Sequence, residues 1–234
     1  MAEKWKRTAL VVIDMQVLLF ISVAAAAYVF QTLSLSPLNL SLRPQFKSLM
    51  IVILQKDFID DDGPVRVSGG RAIVPNVIKA VQVARQRGIL VIWVVREHDP
   101  LGRDVEQFRR HFYADGKKGP TSKGSVGAEL VDGLVIEEGD YKLVKTRFSA
   151  FFATHLHSFL QGAGIHSLVI TGVQTPNCIR QTVFDAVALD YQSVNVIVDA
   201  TAAATPDIHA ANIFDMKNVG VATPTLQEWI EADA

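Results

Sequence analysis

Cysteine is nearly absent, with one residue, Cys178, in 234. That excludes an intramolecular disulfide framework and any Cys-rich zinc module, and leaves the thiol as either a buried side chain or a nucleophile. Net charge is nearly absent too. Twenty-three basic and 24 acidic residues give a formal charge of −1, so no global attraction draws the chain to nucleic acid or to an anionic membrane. There is no internal repeat, and no linker separates two domains. What is present is apolar: 49% of residues are hydrophobic and 20% charged, a composition that builds a buried core. The chain reads as one domain over 1–234, interrupted near its start.

The interruption is residues 17–55, which lack acid altogether and carry two charges, Arg43 and Lys47. The stretch opens with an apolar run over 17–30, broken by Ser22. A signal peptide or membrane segment is one reading, because Lys4, Lys6 and Arg7 precede it. Against that, the run falls short of the roughly 20 residues needed to cross a bilayer, and extending it backwards would bury Asp14. A buried helix of the fold is a second reading. The third is favoured: the stretch does not belong to the fold. Its removal joins Val-Val-Ile-Asp14-Met-Gln16 directly to Lys56-Asp57-Phe58-Ile59, a strand ending in an acid and then a turn. Its ends also suit an unspliced phase-zero intron, since a valine codon begins with GT and a glutamine codon can be CAG.

Elsewhere, apolar runs alternate with helical spacing. Thr8–Ile13, Ile89–Val95, Tyr141–Lys145, Ser167–Thr171, Val194–Val198 and Val219–Ala222 read as six strands. Val74–Arg87, Phe148–Leu160, Ile179–Asp190 and Pro206–Met216 read as helices. Near-continuous apolar strands separated by helices predict an α/β fold, a mostly parallel sheet covered on both faces. Residues 96–125 form a polar loop region with seven Lys/Arg and five Asp/Glu.

In such folds the site lies at the carboxyl ends of the strands. Asp14 ends the first strand, Lys145 the third, and Cys178 opens a helix after the fourth. A thiol at a helix N-terminus feels the positive end of the macrodipole, and a nearby lysine adds to that preference for thiolate. A carboxylate such as Asp14 can take the thiol proton. The Gly172–Cys178 turn can aim backbone N–H groups at a reacting carbonyl oxygen. The plain alternatives stand beside this: a core cysteine, a strand-end turn acid and a surface lysine.

Val-Val-Ile-Asp14-Met-Gln, Val-Lys145-Thr-Arg-Phe-Ser-Ala-Phe and Thr-Gly172-Val-Gln-Thr-Pro-Asn-Cys178 together resemble the isochorismatase-like cysteine hydrolases, a family that includes nicotinamidases and ureidoacrylate amidohydrolases. Plant nicotinamidase-like members, some regarded as inactive, look most similar. The resemblance implies a three-layer αβα, Rossmann-like fold with a mostly parallel six-stranded sheet. It implies a catalytic set of Asp14, Lys145 and Cys178, and a cis peptide between Val173 and Gln174 that aims the amides of Gln174 and Cys178 at an oxyanion. The implied reaction is hydrolysis of a non-peptide C–N bond in a small amide, carbamoyl or ureido substrate through a Cys178 thioester. A weak or inactive binding protein and a nicotinamidase are the alternatives.

Two departures matter. Nicotinamidases carry an Asp-x-His metal pair after the second strand, where this chain reads Arg96-Glu97-His98. A cation at Arg96 repels a divalent metal, so no metal and no cofactor are expected. Arg96, His98 and Phe58 become candidate substrate contacts, and Arg109 and Arg110 candidate carboxylate receivers. The second departure is the 17–55 stretch. Its end, Leu49–Gln55, is strand-like and could compete with Leu10–Ile13 for the first sheet position. That would put Leu54 near the place meant for Asp14 and predicts a poorly soluble or weakly active protein. The remaining expectations are a small-molecule substrate, no nucleic-acid or membrane partner, a cytoplasmic location and a homo-oligomer.

Overall fold

A computed structural model of the chain describes residues 47–232. Five strands form one parallel sheet: β1 (Lys47–Val52), β2 (Leu90–Arg96), β3 (Tyr141–Lys145), β4 (Ser167–Val173) and β5 (Ser193–Ala202), in the order β3-β2-β1-β4-β5. The helices are α1 (Lys56–Ile59), α2 (Gly70–Gln86), α3 (Leu156–Gly162), α4 (Arg180–Ala188), α5 (Pro206–Asn218) and α6 (Leu226–Ala232). α2 packs on α6 and α4 on α5, and all four touch the sheet. The α/β architecture predicted from the alternating pattern is the one found. The inner strands are buried from Leu49 to Leu54, Val91 to Arg96 and Leu168 to Val173, as strands covered on both faces must be. Among the described residues no helix is long and apolar enough to cross a membrane.

Among the described residues five strands are seen where six were expected of the chain. The sixth, Val219–Ala222, reduces to one bridge between Asn195 and Ala222. Gly220 takes φ +83 inside that stretch and turns the chain. Pro224, just beyond, has no N–H to extend a ladder.

The first strand departs furthest from expectation. Thr8–Ile13, Asp14 and the apolar run 17–30 lie outside the described residues. The centre of the sheet is held by Lys47–Val52, inside the stretch expected to stand apart from the fold. Val52 pairs with Val94 on one side and with Gly172 on the other. The reason is local. Leu49–Leu54 is a continuous apolar run that leads straight into α1, and burying each such side chain is worth about 1.5–3 kcal/mol. Residues 47–55 are therefore part of the fold. Asp14 is three residues before Lys56 in the joined text. The residue three before Lys56 in β1's continuation is Ile53, not Leu54.

The Phe148–Leu160 helix also begins later than expected, at Leu156. The backbone before it is engaged elsewhere: Phe148 O accepts from Lys145 Nζ, Ala150 N donates to Thr182 Oγ1, and Ala150 O accepts from Thr154 Oγ1.

The chain adds β2 and β3 on one side of β1, then crosses to add β4 and β5 on the other. The carboxyl ends of β1 and β4 thus border the switch point, the crevice where open α/β sheets bind ligands.

Candidate active site

Cys178 lies just past β4 in a π-helical turn, Thr175–Ile179, that runs directly into α4. It is 4% exposed. Thr182, one turn along, donates its hydroxyl to Cys178 O at 2.6 Å and accepts from Ala150 N at 3.0 Å, which ties the cysteine turn to the loop after β3. Thr175 Oγ1 bonds His209 Nδ1 of α5 at 2.8 Å. The Val173–Gln174 peptide is cis. Gly172, at φ +110, is required by close approach, because a Cβ there would stand 2.0 Å from Val52 O.

Lys145 ends β3 and is 1% exposed. Its Nζ donates to Arg147 O at 2.6 Å and to Phe148 O at 2.7 Å. Burial drives its pKa down to about 8. The charge and hydrogen bonding of neighbouring Cys178 oppose the fall, and Arg96 adds to it. The structure therefore brings Lys145 and Cys178 together from separate strands, while Asp14 lies outside the described residues.

Ile53 stands where the motif would place that acid. It is 1% exposed, its N–H donates to Val94 O at 2.9 Å, and its φ is +51. A β-branched residue in the left-handed region is a true outlier, costing about 1–3 kcal/mol. Aspartate visits that region more readily.

Arg96 ends β2, in register with Lys145. Gln55, fully buried, clamps its backbone: Arg96 N donates to Gln55 Oε1 at 2.7 Å and Gln55 Nε2 donates to Arg96 O at 2.8 Å. Arg96 Nη1 donates to Glu106 Oε1 and Oε2 at 2.9 and 3.0 Å and reaches Thr146 O at 3.3 Å. It also lies 3.0 Å from His98 Nε2. Arginine only donates, so Nε2 accepts, and the proton sits on His98 Nδ1, 3.1 Å from Asp104 Oδ1. Burial, then the Arg96 charge, lowers the His98 pKa and keeps the ring neutral. Both ring nitrogens are thus engaged and a guanidinium fills the adjoining position. A divalent cation does not fit these residues.

Of the other candidates, Phe58 is placed in the hydrophobic core on α1, 4% exposed. Arg110 is exposed, whereas Arg109 is half-buried and pairs with Glu106 at 3.4 Å. The sequence reading missed Glu106, Thr182 and Gln55. Glu106 had a signal, its i,i+3 spacing to Arg109. Thr182 had one too, at i+4 from Cys178. Gln55 had none, since its partner lies 41 residues away.

The isochorismatase domain profile matches residues 48–228. A protein of Arabidopsis thaliana named probable inactive nicotinamidase is 70% identical over 185 residues, 79% of this chain and 94% of that one. The ureidoacrylate amidohydrolase of Klebsiella pneumoniae is 32% identical over 194 residues, 75% of this chain and 81% of that one. The crystal structure of an isochorismatase family protein from Desulfovibrio vulgaris superposes with a TM-score of 0.78 at 38% identity, covering 80% of this chain and 97% of that one.

Proposed function

We propose, from the premise that this chain belongs to the isochorismatase family of cysteine hydrolases, that it carries a metal-independent thiol site for a small amide, carbamoyl or ureido substrate, and that it turns that substrate over slowly. The observation that carries the reading is the Lys145 ammonium, held by two carbonyls and set beside the Cys178 sulfur at the switch point. An ammonium there stabilises the negative sulfur that attacks a carbonyl carbon. The Gln174 and Cys178 amides are the candidate donors to the resulting oxyanion. Collapse of that adduct expels an amine, which needs a proton, and water then cleaves the thioester. The proton is the weak link. Asp14 was expected to carry it, and Ile53 occupies the corresponding place after β1.

Nicotinamide hydrolysis is the disfavoured alternative, because Arg96 and the fully engaged His98 leave no room for the metal of that chemistry. The family resemblance further supports a cytoplasmic homo-oligomer acting on a small molecule, and sedimentation of the purified chain tests the assembly. The test of the chemistry is alkylation of Cys178 by iodoacetamide near pH 7, followed by mass spectrometry. Wild type should react at least about tenfold faster than Lys145→Met. Equal rates would remove the activated thiol from the reading. Ammonia release from small amides and ureas, with Cys178→Ala as control, then measures turnover.

A further inference from the structure

The cysteine turn is held at both ends by threonines. Thr182 ties its Cys178 end to the loop after β3. Thr175 opens the turn and is fully buried. Its hydroxyl makes one hydrogen bond among the described residues, with His209 Nδ1 of α5 at 2.8 Å. A buried O–H with a single partner is satisfied only by donating to it. Nδ1 is therefore the acceptor, and the ring proton sits on Nε2. The Val198 carbonyl of β5 accepts from the ring, in keeping with that tautomer. Within the turn, Pro176 has no N–H, and the N–H groups of Asn177 and Ile179 both go to Gln174 O. The side-chain tie at Thr175 thus comes from outside the turn, from His209. Thr175 adjoins Gln174, whose amide is a candidate oxyanion donor. His209 also faces the other way. It is half-buried and lines a cavity of about 430 Å³ in which no other lining residue carries a charge. Protons reach the ring from that cavity, while Thr175 is sealed behind it.

We propose that His209 is a positioning residue for the oxyanion site: by accepting from Thr175 it sets the turn that presents the Gln174 and Cys178 amides, and its protonation from the cavity releases that hold. The inference rests on the reading of Cys178 as the reacting group, and it adds a regulation of that same site. A protonated imidazole carries N–H on both nitrogens and cannot accept. On the elements packed against α5 the titratable groups are Cys178 in the turn, Arg180 and Asp185 on α4, and Asp199 on β5. On α5 itself they are Asp207, Asp215 and Lys217. Arg180 pairs with Asp215, Asp185 accepts from Gln181, and Asp199 accepts from Leu226 N. None of them moves the His209 pKa. Burial lowers it from 6.5, and the Val198 carbonyl opposes the fall. The ring is neutral at pH 7 and charges only in mild acid, where Lys145, at about 8, keeps its proton throughout.

The test compares two reactions of Cys178 in the full chain. With p-nitrophenyl acetate the sulfur attacks the carbonyl carbon, an oxyanion forms, and the C–O bond breaks to release p-nitrophenolate. With iodoacetamide the sulfur displaces iodide at a saturated carbon, and no oxyanion forms. Both consume the thiolate, so the ratio of acylation to alkylation rates cancels thiol ionisation and reports the oxyanion site. His209→Leu, checked for folding by circular dichroism, should lower that ratio at least about tenfold at pH 7.5. His209→Asn, which puts an amide oxygen near the place of Nδ1, should restore most of it. In wild type the ratio should fall between pH 7.5 and about pH 5, and in His209→Asn it should stay level. The wild-type profile needs no variant to fold. An unchanged ratio in His209→Leu, or a wild-type ratio level with pH, overturns the proposal and leaves the hydrolase reading standing. So does a fall with pH that persists in His209→Asn, which would assign it to another group. A wild-type thiol that alkylates but is not acylated overturns both.

Discussion

Arg96 and Lys145 are register partners at the carboxyl ends of β2 and β3, and each is 1% exposed. Two adjacent buried cations are costly unless each is compensated. The compensation differs. Arg96 has the Glu106 carboxylate, while Lys145 has two neutral carbonyls and the Cys178 sulfur. The unequal support makes the two positions respond differently to pH and to substitution.

Lys145 should impose a rise of stability with pH. Its pKa falls from 10.5 to about 8 on folding, a difference of about 3 kcal/mol at 1.36 per unit. Below pH 8 folded and unfolded chains both hold the proton and the whole penalty stands. Between pH 8 and 10.5 only the unfolded chain holds it, so stability climbs with pH, and above that range the penalty is gone. Urea melts at pH 7.5 and 10 should show this gain in wild type and lose it in Lys145→Met. A variant with the same slope would mean that another group titrates there.

Ile53→Asp should raise activity at the expense of stability. It restores an acid three residues before Lys56, in a backbone conformation that aspartate tolerates better than isoleucine. Losing the buried isoleucine costs about 1.5–3 kcal/mol, partly offset by relief of the left-handed φ. Cys178-dependent ammonia release should increase at least about tenfold if the missing function is proton transfer. A folded variant with no gain would show that the acid place is not what limits turnover.

Much of this was legible in the sequence. Continuous apolar runs such as Leu168–Ile170 and Val91–Val95 announced a covered parallel sheet, and strand-end positions singled out Lys145 and Cys178. The first strand was not legible as such, because Thr8–Ile13 and Leu49–Leu54 carry the same apolar pattern, and periodicity cannot choose between two runs that each precede a turn. Ile53 reads as one more strand residue until the count back from Lys56 and its positive φ mark it out. Gln55 was hidden, and Glu106 showed only its spacing to Arg109, for a different reason. Their roles depend on partners brought by other elements, Arg96 in both cases.

Glu106→Gln should destabilise the chain at neutral pH and weaken its acid sensitivity. Burial alone would raise the Glu106 pKa, but the Arg96 charge and hydrogen bonds outweigh it and hold the carboxyl below its ordinary 4.5. A depressed folded pKa gives stability that is present above pH 4.5 and lost as pH falls through the lower folded value. Removing the charge leaves Arg96 buried without its counterion, at a cost of roughly 3 kcal/mol. Denaturant midpoints at pH 7 and pH 3.5 should separate the variant from wild type mainly at the higher pH.

Thr182→Val should test whether the cysteine turn is held from the β3 loop. Valine keeps the volume but removes the hydroxyl that donates to Cys178 O and accepts from Ala150 N. Ala150 is fully buried, so its N–H is left unmet, and the loss should be about 1–3 kcal/mol. Stability alone would not separate support of the fold from positioning of the thiol, so iodoacetamide alkylation of Cys178 is the second readout. Positioning requires the alkylation rate to fall in Thr182→Val and to recover in Thr182→Ser, which restores the hydroxyl. A thermal melt lowered with no change in alkylation rate would assign Thr182 to the fold and leave Cys178 held by its own turn.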